Sequence, residues 1–180
     1  LVEEALRRGA RRVYAGTREP WAPGDPRVTP LPLDVTDPDQ IRAAVARIDA
    51  LDILINNAGL GRYDALGDRA ALERHLAVNL FGPFEMVRAV QPLLVRSRGA
   101  VVNVLSIAAV AALPVMPAYS ISKAAALSLS QSQRALLARP NWDDDQSALQ
   151  VWLGEAIEIK PHTVATLERQ ARANLLLAGP

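Results

Sequence analysis

Short apolar runs alternate with amphipathic stretches along most of the chain. Residues 52–56 and 100–105 are almost continuously apolar, which is typical of parallel strands covered on both faces. A third strand is predicted at 12–16. Residues 28–33 carry two prolines and therefore suit only an edge strand. The alternation of these strands with helices predicts an α/β fold with a doubly wound, mostly parallel sheet.

Helical patterns separate the strands. The predicted helices cover residues 1–8, 38–50, 69–98 and 119–138, with disturbances expected at Gly82-Pro83 and Pro92. The second of these helices has a marked start. Asp37 can cap it, Pro38 suits its first position and Gln40 has the capping-box spacing.

The pattern changes after Arg139. We therefore divide the chain into a partial domain over 1–139 and a divergent segment over 140–180 that we expect to be mostly helical, with a helix at 163–177. Residues 149–153 are compatible with either a strand or a helix, and as a strand they would extend the sheet.

Composition argues against several kinds of site. The 180 residues include 20 basic and 19 acidic side chains without a basic block, so nucleic-acid binding is not indicated. Cysteine is absent and the 2 histidines are far apart, so we expect no metal centre. No apolar stretch is long enough to span a bilayer, and the amino terminus does not resemble a signal peptide. We expect a cytoplasmic protein.

Three side chains could carry chemistry at one edge of the predicted sheet. Tyr119 and Lys123 lie one helical turn apart, so they share a face. An ammonium beside a phenol favours the phenolate, and such a pair can exchange a proton with a carbonyl or an alcohol. Ser106 ends a buried strand at the edge where ligands of such sheets bind. A solvated helix face and a strand-terminal serine would explain the same residues without function.

Asn56-Asn57-Ala58-Gly59 ends the neighbouring strand at this edge. Small and amide residues there let the backbone approach a ligand, although a simple turn explains them slightly better.

Together these motifs resemble the short-chain dehydrogenase/reductase family. The resemblance covers about residues 1–138 and depends on motifs in the family's order, namely Asn56–Gly59, Asn79 within Val78-Asn79-Leu80, Ser106, Tyr119 and Lys123. It implies a Rossmann-like fold and an oxidoreductase that interconverts a carbonyl and an alcohol with a nicotinamide cofactor. The substrate would be a small molecule.

The resemblance also implies catalytic roles. Tyr119 would be the acid/base, and Lys123 would assist it while holding the nicotinamide ribose. Ser106 would orient the substrate carbonyl, and Asn79 would support a water-linked proton relay.

Cofactor contacts follow from the same resemblance. Asp34 would contact the adenine edge, although a turn residue is an equally good interpretation. The cofactor preference is argued from charge instead. The end of the strand at 12–16 has no acid and is followed by Arg18, whose guanidinium favours the 2′-phosphate of NADP(H) over NAD(H), unless it is only a solvated loop residue. The remaining predicted cofactor contacts are Asn57, Ala58, Gly59, Tyr119 and Lys123.

The sequence also departs from the family pattern. The family's first strand and Thr-Gly-x-x-x-Gly-x-Gly turn precede its first helix, and this chain begins inside that helix. We therefore expect an incomplete sheet with two strand edges unpaired in its interior. An alternative function follows, a catalytically silent remnant that serves as a packing or protein-binding module. The family also suggests a homodimer or homotetramer formed through residues 84–96 and 119–138.

Overall fold

Helices and parallel strands alternate in the computed structural model, which describes residues 1–137, 150–152 and 174–178. The helices are α1 Val2–Arg7, α2 Pro38–Val45, α3 Arg69–Leu76, α4 Gly82–Ser97 and α5 Pro117–Leu137. The strands are β1 Arg12–Thr17, β2 Val28–Pro32, β3 Ile53–Asn56, β4 Ala100–Asn103, β5 Gln150–Trp152 and β6 Asn174–Ala178. A π-helical turn, Ala77–Phe81, joins α3 to α4, and a 3-10 turn, Ile107–Ala109, precedes α5.

The six described strands form one parallel sheet in the order β2-β1-β6-β3-β4-β5. This confirms the predicted α/β class and the doubly wound parallel architecture. The proline-containing strand β2 lies at an edge, as expected from its missing backbone donors. β5 lies at the other edge beside β4, so residues 150–152 adopt the strand alternative for this part of the chain.

The centre of the sheet corrects one expectation. β6 lies between β1 and β3 and pairs in parallel with both, so the two edges that we expected to be unpaired have a partner. The predicted helix at 163–177 is also wrong for residues 174–177, and its other residues lie outside the described part. An apolar run fits a helix or a buried strand equally well, and here the unpaired backbone groups of two neighbouring strands favour the strand.

Alternating side chains of the central strands supply both faces of the sheet. Val13 packs with Ala5 of α1 on one face, and the adjacent Tyr14 belongs to the larger core on the other. In β3, Leu54 lies in that larger core, whereas Ile53 and Ile55 pack on the side of α1. The larger core also contains side chains of α2 and α4, namely Ile41, Ala44, Met86, Val90 and Leu94.

The start of α2 has the predicted cap, but the hydrogen bonds of Gln40 differ from those of a capping box. The Asp37 carboxylate accepts from the backbone amides of Asp39 and Gln40, with Pro38 at the first helical position. The Gln40 side chain does not close the capping box on the Asp37 amide. Its Oε1 accepts from the Asp34 amide at 2.8 Å and its Nε2 donates to Asp37 Oδ2 at 2.9 Å. The helix ends at Val45, before the predicted boundary.

The predicted disturbance at Gly82-Pro83 coincides with the change from the π-helical turn to α4. Gly82 is buried there against the chain that follows β2, because a Cβ atom at this position would lie 2.7 Å from Val35 Cγ2. Pro92 is accommodated inside α4. The π-helical turn contains Asn79, which brings this residue into the interior.

Gly99 offers a direct test of the close packing around the turn that joins α4 to β4. A Cβ atom at this position would lie 2.4 Å from the Asp52 carbonyl oxygen and 2.8 Å from Leu94 Cδ2. We expect Gly99→Ala to lower the free energy of unfolding by about 2–3 kcal/mol, because overpacking against backbone forces a shift of the chain. Urea denaturation measures this loss. Gly24→Ala is the matched control, since a Cβ atom at Gly24 would have no neighbour within 4 Å; equal losses in both variants would contradict the packing at Gly99.

Candidate active site

Tyr119 and Lys123 lie together in the first turns of α5. Lys123 Nζ is 5.9 Å from the centroid of the Tyr119 ring and donates a hydrogen bond to the Val104 carbonyl at 2.9 Å. Val104 directly follows β4, so α5 places the pair at the carboxyl edge of the sheet. Lys123 is buried and Tyr119 is half-buried. The shared face predicted from the spacing is present.

Burial changes the protonation behaviour of Lys123. Removal of the ammonium from water lowers the pKa of Lys123 below its ordinary value. The amine is therefore easier to deprotonate than an exposed lysine, while its carbonyl partner at Val104 still orients it. The hydrogen bond that it donates to the Val104 carbonyl holds Nζ beside the phenol.

Asn79 connects the π-helical turn to α5 and to the loop after β3. It is 1 % exposed. Its Oδ1 accepts from the Leu60 amide, and its Nδ2 donates to the Leu60 carbonyl and to Ser122 Oγ, each at 2.8 Å. Ser122 Oγ in turn donates to the Tyr119 carbonyl at 2.7 Å. A single residue, Ser122, therefore links Asn79 to the backbone of Tyr119 through hydrogen bonds.

The two ends of the motif Asn56–Gly59 lie in different surroundings, the first in the core and the last at the candidate site. Asn56 Nδ2 donates to Asn103 Oδ1, and Asn103 Nδ2 donates to Ser130 Oγ, each at 2.8 Å. This chain of amides ties β3, β4 and α5 together. Gly59 lies at the site instead, because a Cβ atom there would be 3.7 Å from Asn79 Oδ1 and 4.0 Å from Lys123 Nζ.

Asn57 and Ala58 lie between these two ends, both half-buried, and Ala58 packs against the larger core. Their place at the carboxyl end of β3 matches the predicted cofactor edge. The contact of either residue with a cofactor stays a prediction.

Ser106 lies at the border of the same edge. It is half-buried, and its Oγ accepts from the Ala108 amide at 3.1 Å as the cap of the 3-10 turn. This turn packs against α5. A hydroxyl that accepts in this way retains its own proton for donation to a ligand.

The two residues predicted to contact the adenosine half lie at the ends of β1 and β2. Arg18 is exposed and directly follows β1. Asp34 Oδ1 accepts from the Thr36 amide at 2.8 Å and from Thr36 Oγ1 at 2.7 Å, so the turn alternative for Asp34 is realised. Its contact with an adenine ring stays a prediction. Glu19, which was not among the predicted site residues, places a carboxylate next to Arg18.

Asp64 and His75 contribute to the site although neither was predicted from the sequence. The Asp64 carboxylate accepts from the Ala118 amide at the start of α5, and His75 Nε2 accepts from the Arg62 amide. A sequence signal exists for each. For Asp64, the signal is that the backbone N–H groups in the first turn of α5 need an acceptor from another part of the chain. For His75, the signal is its position in a predicted helix close to Asn79.

A surface cavity of about 250 Å³ lies away from these residues, near the amino end of β1. Its lining includes Arg12, whose guanidinium is 5.9 Å from the centroid of the Tyr14 ring, and Asp49. None of the predicted site residues lines it.

Two classes of feature do not occur in the described part of the chain. Residues 1–137, 150–152 and 174–178 contain no helix long and apolar enough to cross a membrane. The same residues contain no cluster of three or more metal-ligating side chains of the His, Cys, Asp or Glu types.

Several known proteins with related sequences are named as dehydrogenases. The family model for short chain dehydrogenases matches residues 6–141. Short-chain dehydrogenase PC-15 of Penicillium crustosum is 42% identical over 120 residues, which cover 60% of this chain and 42% of the relative. Human 17-beta-hydroxysteroid dehydrogenase type 2 is 32% identical over 144 residues, which cover 71% of this chain and 37% of the relative. The chain thus spans about two fifths of the length of these relatives.

Solved structures share the fold. A short chain dehydrogenase from Burkholderia cenocepacia in complex with NADP has a TM-score of 0.75 and 41% identity, covering 83% of this chain and 62% of that protein. A short chain dehydrogenase/reductase from Burkholderia phymatum in complex with NAD has a TM-score of 0.57 and 28% identity, covering 62% of this chain and 42% of that protein. The family model matches well over half of the residues, and the chain belongs to the short-chain dehydrogenase family.

Proposed function

We propose that the protein is an NADP(H)-dependent oxidoreductase that interconverts a carbonyl and an alcohol, with Tyr119 as the acid/base. The placement of Lys123 Nζ against the Tyr119 ring is the observation that supports this proposal most directly. It puts an ammonium beside a phenol at the carboxyl edge of a parallel sheet, where ligands of such folds bind. Membership of a dehydrogenase family supports the same reaction class.

The residues around Lys123 suit the nicotinamide end of such a cofactor. Gly59 is exposed and leaves room beside Lys123 Nζ and Asn79 Oδ1 that a Cβ atom would fill. An ammonium beside open backbone matches the hydroxyls of a ribose, which can accept its protons. When bound, the nicotinamide would exchange a hydride with the substrate carbon.

The side chains of this chain would handle the proton. In carbonyl reduction Tyr119 would donate its phenolic proton to the substrate oxygen, and in alcohol oxidation it would take that proton back. The Ser106 hydroxyl would donate a hydrogen bond to the same oxygen and stabilise the charge that develops there. Lys123 would favour the phenolate through its charge, and Asn79 would hold the backbone around Tyr119 through Ser122.

A carbonyl-dependent assay tests the proposed reaction. We expect the full chain to consume NADPH when small apolar ketones or aldehydes are added. The loss of NADPH absorbance measures this consumption. A chain that binds NADPH but shows no consumption with any carbonyl, and no reduction of NADP⁺ with the matching alcohols, would refute the proposed activity.

The preference for NADP(H) rests on Arg18. The related Burkholderia structures contain NADP in one case and NAD in the other, so family likeness supports a nicotinamide cofactor of either kind. An exposed guanidinium directly after β1 suits a 2′-phosphate, since arginine binds phosphate through two parallel hydrogen bonds.

Arg18→Asp should weaken NADPH binding by about tenfold relative to NADH, because an acid in this place repels a 2′-phosphate and accepts from a 2′-hydroxyl. The dissociation constants of both cofactors, measured by fluorescence titration, check this. Arg47→Asp makes the same charge change at an exposed position after α2 and serves as the control. An equal loss of NADPH and NADH binding in Arg18→Asp would contradict the assigned contact.

The alternative of a catalytically silent binding module is not favoured. The relatives reported above are named as dehydrogenases.

A cytoplasmic location and a homo-oligomer stay proposals. The exposed aromatic side chains of Phe81 and Phe84 next to and within α4 support the latter, since paired apolar helix faces are a common route to dimers.

A further inference from the structure

Residues 60–64 form a segment, here called the strap, that crosses from the π-helical turn to the start of α5. Its first residue is held by the amide of Asn79, as described above. Its third, Arg62, donates its backbone amide to His75 Nε2 at 3.2 Å. Its fifth, Asp64, accepts at its carboxylate from the Ala118 amide at 3.2 and 3.4 Å. Alternate residues of the strap are therefore tethered to three different elements.

The strap lies against the tyrosine of the candidate site. A Cβ atom at Gly61 would lie 3.6 Å from both Cδ2 and Cε2 of Tyr119, and 3.2 Å from Met116 Cε. The strap backbone therefore runs along one edge of the Tyr119 ring. The neighbouring side chains point outward, since Arg62 is exposed and Tyr63 is 82% exposed.

His75 holds the middle of the strap in one defined chemical form. The ring is buried, with 2% of the residue exposed, and Nδ1 lies 2.7 Å from the Ala71 carbonyl oxygen. A carbonyl only accepts and a backbone amide only donates. Both ring nitrogens are therefore satisfied only in the neutral imidazole with its proton on Nδ1. Nε2 is then a dedicated acceptor for the Arg62 amide.

We propose that His75 is a positioning residue for Tyr119, which acts by fixing the strap against the edge of the tyrosine ring. This inference rests on the proposed function, because the position of the ring matters for turnover only if Tyr119 exchanges the proton. The contacts involve three elements. α3 supplies His75, the strap supplies Gly61 and Arg62, and α5 supplies Tyr119.

Two variants separate the acceptor at Nε2 from the other properties of His75. His75→Gln places an amide oxygen near the position of Nε2, whereas His75→Leu fills the same space without an acceptor. His75→Asn is a second test of the loss, because it can still donate to the Ala71 carbonyl but does not reach the Arg62 amide. If His75→Leu does not fold, His75→Asn takes its place.

Trypsin cleavage after Arg62 reports on the strap without any requirement for activity. Loss of the acceptor should raise the rate of this cleavage about tenfold, because one tether of the backbone is gone. Cleavage after Arg18, in another exposed loop, should stay unchanged and shows that the opening is local. His75→Gln should return cleavage after Arg62 towards the rate of the unaltered protein.

Fluorine NMR of protein labelled with 3-fluorotyrosine reports on the ring itself. The chain has 3 tyrosines, and their signals are assigned by tyrosine-to-phenylalanine substitution. The Tyr119 signal should shift in His75→Leu and return in His75→Gln. The Tyr14 signal should not move, because this ring is buried on β1 away from the strap.

Turnover completes the test. His75→Leu should lower kcat about tenfold and leave the NADPH dissociation constant unchanged, since the strap does not hold Lys123 or Arg18. Unchanged cleavage at Arg62, an unmoved Tyr119 signal, or an unaltered kcat would each overturn the inference. A protein in which both structural readouts respond but no carbonyl is turned over refutes the proposed function instead, and with it the catalytic meaning of the strap.

Discussion

Tyr119→Phe should lower carbonyl turnover by at least about a hundredfold, because general acid–base catalysis by a positioned side chain typically contributes about 10²–10⁴-fold. The substitution removes only the phenolic oxygen, so the ring can keep its contacts with the strap and with Lys123 Nζ. Steady-state kinetics with NADPH and a carbonyl substrate give the change in kcat. Urea denaturation should show that the free energy of unfolding is almost unchanged.

Tyr63→Phe is the matched control for this experiment. Tyr63 belongs to the strap and is therefore close to the candidate site, yet 82% of the residue is exposed. It should keep full turnover. Normal turnover in Tyr119→Phe, with the cofactor still bound, would remove the proposed acid/base and the mechanism built on it.

Asn79→Leu should cost about 3–5 kcal/mol of unfolding free energy, since it strands several buried polar groups at about 1–3 kcal/mol each. The Leu60 amide, the Leu60 carbonyl and the Ser122 hydroxyl all lose a partner. The side chain is replaced by one of similar volume, so a cavity does not explain the loss. Equilibrium urea denaturation measures it, and turnover should fall as well because the backbone of Tyr119 is bonded to Ser122.

A double-mutant cycle with Ser122→Ala isolates one of these contacts. In the Ser122→Ala background the Asn79→Leu substitution should cost about 1 kcal/mol less, because the hydroxyl that it would strand is already absent. Strict additivity of the two substitutions would show that the 2.8 Å contact between them carries no energy. If Asn79→Leu alone lowers the free energy of unfolding by less than about 1 kcal/mol, the two hydrogen bonds between Asn79 and Leu60 do not stabilise the fold as expected.

Local chemistry in the sequence identified most of the fold. The near-continuous apolar runs located β3 and β4 within one or two residues, and the Asp37-Pro38 start located α2. The central strand β6 could not be found in this way. Its Leu175-Leu176-Leu177 run has no period that separates a helix from a buried strand, and the factor that decides is the pair of unpaired edges offered by β1 and β3.

The candidate site was likewise predictable only in part from the sequence. The spacing of Tyr119 and Lys123 on a helix was sufficient to place their side chains together. The strap was not predictable, because its tethers join residues that are distant in sequence. His75 and Arg62 are 13 residues apart, and Asp64 and Ala118 are 54 residues apart. Such hydrogen bonds leave no periodic signal, and only the folded backbone brings them within reach.

The order in which the strands are made has a consequence for biosynthesis. β1 and β3 leave the ribosome long before β6, yet β6 joins them in the sheet. During translation, the pairing of β1 and β3 with β6 therefore waits until residues 174–178 have been made. Pairing between strands so distant in the sequence favours slow folding, because the entropy of closing a long loop is lost before the contacts that offset it can form.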